Sequence, residues 1–278
     1  MSTATLRVSC PDRTGLVAAL SDFVFRQGGN IIDLDQHSDA DSGTFFMRLV
    51  FDTTRFALDR PGIEAAIAEL ARKHELTCQL TFGDHRPRIA VFCTKVPHCL
   101  YDLLLANRLG DLSGDIAVVV SNHRELEPVA AHFQVPFVCI TGDAAEREQE
   151  ALLAREHIEL VVLARYMQIL SPTFVTQRRG RIINIHHSFL PAFVGAKPYH
   201  QAKERGVKLI GATAHYVTED LDQGPIIEQA VAHVSHRDAV EDMIRKGREL
   251  ERQTLTRAVR LHLEHRVLIN GNRTVVFA

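Results

Sequence analysis

Apolar positions along this chain fall into two rhythms. Over the first 83 residues, strand-like runs trade places with stretches that are apolar at helical spacing. Residues 5–10 read as a short strand, and Pro11-Asp12-Arg13-Thr14-Gly15 turns it into a helix over 16–27, which Gly28-Gly29 stops. Residues 30–37 and 43–52 read as two strands across a polar turn, residues 59–74 as a helix with Pro61 in its first turn, and 75–82 as a last strand. The order βαββαβ predicts one sheet with two helices on it, a ferredoxin-like split βαβ domain over 1–83. A polar, proline-containing stretch at 84–88 reads as a linker. Beyond it the apolar runs become short and continuous, at 89–93, 116–121, 137–140, 160–163 and 181–185, as strands buried on both faces require. Helical patterns over 99–109, 125–132 and 143–157 separate the first four. This alternation predicts a Rossmann-like, mostly parallel, doubly wound α/β sheet over 89–278, with its site beyond the carboxyl ends of the strands. A late β pair at 209–217 and 225–234, a long helix over 239–265 and a terminal strand at 274–277 complete the reading.

Length and composition then narrow the classes. At 278 residues and about 150 residues per domain, two modest domains are expected. A hydrophobic fraction of 46% and a charged fraction of 24% argue against disorder, and a net charge of −2 argues against a broadly basic nucleic-acid surface. Trp is absent, which removes the usual stacking platform for single-stranded nucleic acid. The longest apolar runs fall far short of the roughly 20 residues of a membrane span, and the N-terminus does not read as a secretory signal. Five scattered cysteines without a CxxC pair favour reduced thiols in the cytoplasm over disulfides or a structural zinc site.

The chemistry-bearing stretch is Asn184-Ile185-His186-His187-Ser188-Phe189-Leu190-Pro191-Ala192-Phe193, followed by residues 211–218 and then Leu221-Asp222-Gln223-Gly224-Pro225. Asn184 and His186 are two apart at a strand end, so they share a face, and an amide beside an imidazole suits a developing oxyanion. Asp222, in a loop closed by Gly-Pro, is placed to orient that imidazole or to activate water. On spacing alone, a polar strand end and a turn aspartate would look the same. His187 is expected on the opposite face, as a supporting or structural residue. Arg178-Arg179-Gly180-Arg181 reads as a basic knot suited to a polyanionic tail or as a solvated turn, and His233 with His236, or His262 with His265, as solvated histidines without a third metal ligand.

Taken in order, Asn184-Ile185-His186 with Ser188-Phe189-Leu190-Pro191, then Gly211-Ala212-Thr213-Ala214-His215, then Leu221-Asp222-Gln223-Gly224-Pro225-Ile226-Ile227, resemble the catalytic domain of folate-dependent formyltransferases over about residues 88–278. That resemblance implies a catalytic Asn184, His186 and Asp222 acting on 10-formyltetrahydrofolate. It also implies a pterin-reading loop at Arg165-Tyr166-Met167-Gln168-Ile169-Leu170, a stretch that on its own residues could equally be a strand running into core. The turn after the first strand of this domain has no glycine and contains Pro97, a poor phosphate nest, although Lys95 keeps an anion site and hence an amine acceptor open.

The N-terminal segment, through Asp12-Arg13-Thr14-Gly15, Gly28-Gly29-Asn30-Ile31 and Gly43-Thr44-Phe45-Phe46, resembles an ACT regulatory module. The two together are similar, end to end, to the formyltetrahydrofolate deformylase family, with Lys95, His98 and Cys99 as further substrate-side residues. The resemblance implies hydrolysis of 10-formyltetrahydrofolate to tetrahydrofolate and formate, feeding purine synthesis and balancing the one-carbon pool. It further implies a folate substrate with no metal or redox cofactor, a homodimer or homotetramer, no nucleic-acid or membrane partner, and glycine or methionine as effector near Asp12, Gly29, Asn30 and Ile31. Whether Asp222 or His186 is the general base stays open at this level, as do a formyltransferase to an amine and a non-catalytic amino-acid sensor.

Overall fold

The protein's structure, a computed structural model, describes residues 2–191 and 198–278. Ala192 and Phe193, at the end of the informative block, lie outside the described residues. Two compact units result: Met1–His85 with His265–Leu268 and Val275–Ala278, and Arg86–Glu264 with Ile269–Thr274.

In the first unit, β1 (Thr3–Pro11), α1 (Leu16–Arg26), β2 (Asn30–Asp39), β3 (Thr44–Asp52), α2 (Arg60–Lys73) and β4 (Thr77–Phe82) follow one another, and the strands form an antiparallel sheet in the order β2-β3-β1-β4. Alternation along β1 sends Ala4, Leu6, Val8 and Cys10 inward against Leu16, Leu20 and Val24 of α1 and Ile63 and Ile67 of α2. The start of α2 is fixed by Asp59, whose carboxylate accepts from the Gly62 backbone N–H at 3.0 Å.

The other face of this sheet is covered too. Phe46 of β3 is 1% exposed and packs with Leu268, Val275 and Phe277, while Arg48 reaches Asp33 at 2.6 Å. The domain expected over 89–278 therefore does not keep its own C-terminus: residues 265–268 and 275–278 join the first unit, because β3 presents apolar surface on both sides.

The second unit runs β5 (Arg88–Cys93), α3 (His98–Leu109), β6 (Asp115–Ser121), α4 (Glu127–His132), β7 (Phe137–Cys139), α5 (Ala145–Arg155), β8 (Leu160–Leu163), α6 (Pro172–Gln177), β9 (Ile182–His186), α7 (Pro198–Arg205), β10 (Leu209–Tyr216), β11 (Ile226–His233) and α8 (Val240–Leu263). Its seven-stranded sheet has the order β11-β10-β9-β8-β5-β6-β7, parallel from β9 to β7 and antiparallel at β10 and β11. From β5 the chain moves outward to β6 and β7, then returns to the opposite side of β5 as β8. The loops leaving β5 and β8 consequently diverge and open a crevice at the carboxyl edge, where α/β sheets bind ligands. Helix α8 lays Met243, Leu255, Ala258 and Val259 against the β9–β11 side of the sheet, with one carboxylate, Glu251, within its buried face. Helices α6 and α7 were not among the expected elements: at six and eight residues they are too short for a periodic signal. The start of α6 is marked only by Ser171, which accepts from Phe174 N–H at 3.2 Å, and by Pro172. Among the described residues no helix is long and apolar enough to cross a membrane, and all five cysteines are free thiols.

His265, in the first unit, has φ 56°, and burial with the nearby Arg7 and Arg48 lowers its pKa to about 4. The folded value lies below the ~6.5 of an unfolded histidine, so the unfolded chain takes up the proton first and stability is lost as pH falls from ~6.5 towards 4. Replacement by Asn, which tolerates positive φ and does not titrate there, should shrink the drop in urea midpoint between pH 7 and pH 5; an unchanged drop would refute this role.

Candidate active site

Strand β9 lies between β8 and β10, with Asn184 paired to Leu163 on one side and His215 on the other. Strand periodicity turns Asn184 and His186 to one face. Asn184 Nδ2 lies 3.2 Å from His215 Nε2, and His215 Nδ1 lies 2.9 Å from the Tyr216 carbonyl. A carbonyl only accepts, so Nδ1 carries the hydrogen, and Nε2 of the neutral ring accepts from the Asn184 amide. One amide hydrogen of Asn184 is thereby spent on orientation and the other is left for a ligand.

His186, 6% exposed, donates from Nδ1 to Asp222 Oδ2 at 3.1 Å. Its Nε2 is buried and has no hydrogen-bond partner among the described residues. Asp222 sits at φ 55° in a loop held to the sheet by the Tyr216 N–H to Pro225 carbonyl bond of 2.9 Å. Gly224 permits that approach, since a Cβ there would overlap the Tyr216 carbonyl. The hydrogen bond from His186 holds the Asp222 carboxyl well below the usual carboxylate range.

These groups line one cavity of about 710 Å³, in the size range of a small-molecule site. The loop after β8 forms another part of its wall. Arg165 takes φ 62°, Tyr166 buries its ring edge-on to Phe92 and accepts from Gln149 Nε2 at 3.0 Å, and the Met167 N–H donates to Thr94 Oγ1 at 3.0 Å. That anchoring leaves Met167 (58% exposed) and Ile169 (79%) presented as apolar surface, with Gln168 and Leu170 also on the lining.

A second polar group borders the cavity around Glu251, which is 2% exposed. It accepts from His98 Nε2 at 2.8 Å and Tyr199 Oη at 3.1 Å, and Arg165 Nε lies 3.5 Å away. Burial opposes its charge, but the His98 hydrogen bond and Arg165 outweigh it and lower its pKa; burial and the same carboxylate push the Tyr199 phenol up. Gly247, one turn before Glu251 on α8, lets Tyr199 through: a Cβ there would overlap its hydroxyl. Together with Cys99, His98 and Glu251 place ligand-type atoms within 4.8 Å of one another. A cation fits this set poorly, because burial holds Cys99 as a thiol and Arg165 already neutralises Glu251.

Against this geometry, a family profile described as "Formyl transferase" matches residues 87–259 and one described as "ACT domain" matches residues 4–74. A formyltetrahydrofolate deformylase of Synechocystis sp. is 53% identical over 99% of this chain and 99% of its own, and one of Bacillus subtilis is 47% identical over 98% and 93%. The crystal structure of a formyltetrahydrofolate deformylase from Pseudomonas syringae, 44% identical, superposes over 100% of this chain and 95% of its own with a TM-score of 0.97. The chain belongs to the formyltetrahydrofolate deformylase family.

Within this deformylase-family site, Asn184, His186, Asp222, Arg165, Tyr166, Met167, Gln168, Ile169, Leu170 and His98 all meet at the cavity. Lys95 does not: its ammonium pairs with Glu125 at 3.3 Å on the surface. Cys99 lies behind the wall, fully buried. His187, expected on the opposite face, lines the cavity as well, because β9 ends at His186 and strand alternation stops there. His215 and Glu251 carried no role in the sequence reading. His215 stood in a quoted motif, and its pairing with Asn184 follows only from the β9–β10 register; Glu251 lies in the middle of a charged helix and has no local signal at all. Within the basic knot Arg178 is structural, pairing with Glu150 at 2.7 Å, while Arg179 and Arg181 are exposed.

The four residues expected to take an effector do not form one cluster within the chain. Asn30 borders a recess with Gly28, Asp52 and Thr54, Gly29 is crowded by Phe56, and Ile31 packs on the core. Asp12 instead follows β1 at the far end of the sheet, its N–H bonded to Gly43 at 2.8 Å, ~27 Å away along β3.

Removing one partner of a buried ion pair typically costs ~3–5 kcal/mol. Glu251→Ala should lose stability on that order in urea unfolding, leaving Arg165 and His98 uncompensated, while Glu251→Gln, which keeps acceptors, should lose less. Equal, negligible losses would refute the cluster's structural weight.

Proposed function

We propose that this cavity binds 10-formyltetrahydrofolate and hydrolyses it to tetrahydrofolate and formate. The observation that carries the reading is the pair of unspent hydrogen-bonding positions, one Asn184 amide hydrogen and His186 Nε2, from two residues of one strand face that line the same cavity as a group of apolar side chains. Met167, Ile169, Leu170 and Leu221 suit a flat aromatic ring. The formyl oxygen then meets Asn184 and the protonated form of His186. Water adds to the formyl carbon, the oxyanion is held by those two donors, and His186 delivers its proton to the departing N10. Asp222 fixes the imidazole through Nδ1 and stabilises its charged form. No part of this scheme draws on a metal or redox group.

The ACT-like unit gives the same reading a regulatory arm. Glycine or methionine is the effector class it implies, with Asn30 in the recess and Asp12 at the opposite sheet end. A small ligand touching both would have to sit between two copies of the chain, as a homodimer or homotetramer places them. A cytoplasmic setting accords with the free thiols.

Purified protein should release formate from 10-formyltetrahydrofolate without any acceptor amine. Asn184→Ala should lower turnover about 10²–10³-fold, the usual worth of one oxyanion donor, and His186→Ala and Asp222→Ala should also impair it strongly while folate still binds. Near-normal turnover by His186→Ala would sink the assignment. Glycine or methionine should raise the melting temperature or change activity; if neither does, the unit is an assembly device.

A further inference from the structure

The hydrolytic reading leaves one proton without a destination. An amine adds to a carbonyl through its lone pair and sheds its proton afterwards, whereas water must lose a proton as it adds. His186 in its protonated form has no acceptor nitrogen, since Nδ1 faces Asp222 and Nε2 faces the substrate. Asp222 is committed through one oxygen to His186, and that hydrogen bond holds its carboxyl far below the usual range, which makes it a weak base. Glu251 is saturated by His98, Tyr199 and Arg165. Glu219 is exposed and accepts from Thr176 Oγ1 at 2.7 Å, and His200 is exposed. His215 is engaged at both nitrogens, and His98, bonded to Glu251 through Nε2, leaves only an Nδ1 that is buried away from solvent.

That elimination leaves His187. Its ring centroid lies 5.1 Å from that of His186 and 6.4 Å from that of Tyr199, it borders the same cavity, and it has no hydrogen-bond partner among the described residues. We propose that His187 is a further catalytic residue of this site, the base that takes the proton of the attacking water.

The inference rests on the hydrolytic reading above. In the step, a water lone pair forms the new C–O bond while one water proton passes to a ring nitrogen of His187. The C–N10 bond then breaks, its electron pair taking the proton of His186, and the remaining O–H leaves with formic acid, which ionises to formate. Burial, with Arg165 and His186 nearby, lowers the His187 pKa to about 4 against the opposing pull of Glu251 and Asp222, so the imidazole is unprotonated at neutral pH.

The test compares two nucleophiles on one enzyme. His187→Ala and His187→Asn, each checked for a native circular dichroism spectrum, are assayed for formate release and for enzyme-dependent formohydroxamate formation with hydroxylamine as the probe, beside folate binding. Hydrolysis should fall about 10²–10⁴-fold, the usual range for a general base. Transfer to hydroxylamine and the folate Kd should stay within a few-fold of the unsubstituted protein, and imidazole should restore part of the hydrolysis in His187→Ala. Hydrolysis within tenfold of the parent, or parallel loss of both reactions without imidazole rescue, would overturn the role of His187 and leave the deformylase reading standing. A parent protein that released no formate while binding folate would overturn both.

Discussion

The antiparallel pairing of β10 with β9 is the constraint on which the site depends. Through that one register, His215 is placed opposite Asn184 and turns its amide, and Tyr216 holds the loop that carries Asp222. Thr213, opposite His186, accepts from the Leu190 N–H at 3.1 Å and donates to the Ser188 carbonyl at 2.9 Å, fixing the chain as it leaves the strand. Three side chains separated by up to 38 positions in sequence are thus set by neighbouring residues of a single strand. A slip of one residue in this pairing would turn Thr213 and His215 away from His186 and Asn184.

Around this rigid frame the chain distributes its charges unevenly. On one side, Asp222 is kept anionic by the hydrogen bond from His186; on the other, Glu251 is kept anionic inside a helix face by His98 and Arg165. Buried ion pairs of this kind seldom add net stability, since desolvation offsets the attraction, and their usual product is a fixed geometry. Here the fixed geometry is that of Arg165, whose positive φ and tether to α8 set where the loop after β8 begins. The glycine at 247 costs about 1 kcal/mol of helix propensity and gives Tyr199 its path to the same carboxylate.

Most of the fold was legible in the sequence because its strands are short continuous or alternating apolar runs and its helices carry clear stops. The parallel sheet, the late β pair and the Asn184–His186–Asp222 set all follow from local pattern and motif. What escaped was non-local. The role of His215 exists only through cross-strand register, that of Glu251 only through the docking of α8, and the place of His187 only because β9 ends one residue earlier. Lys95 misled for the converse reason: a cation beside a strand end looks like an anion site until Glu125 is seen next to it. The return of the chain's end to the first unit likewise leaves no local trace, since a sheet buried on one face and one buried on two differ only in residues such as Phe46 and Arg48.

That return has a consequence for biogenesis. Synthesis proceeds from the N-terminus, and domains generally fold as they emerge. The first unit is nevertheless closed by residues 265–268 and 275–278, which are made only after residues 86–264 of the second unit. Its helical side can assemble early, but the sheet surface bearing Phe46 stays uncovered until Leu268, Val275 and Phe277 have emerged. Until then the nascent chain carries an exposed apolar strand face, the kind of surface that holdase chaperones bind, and the N-terminal unit is completed only after residues 86–264 have been made.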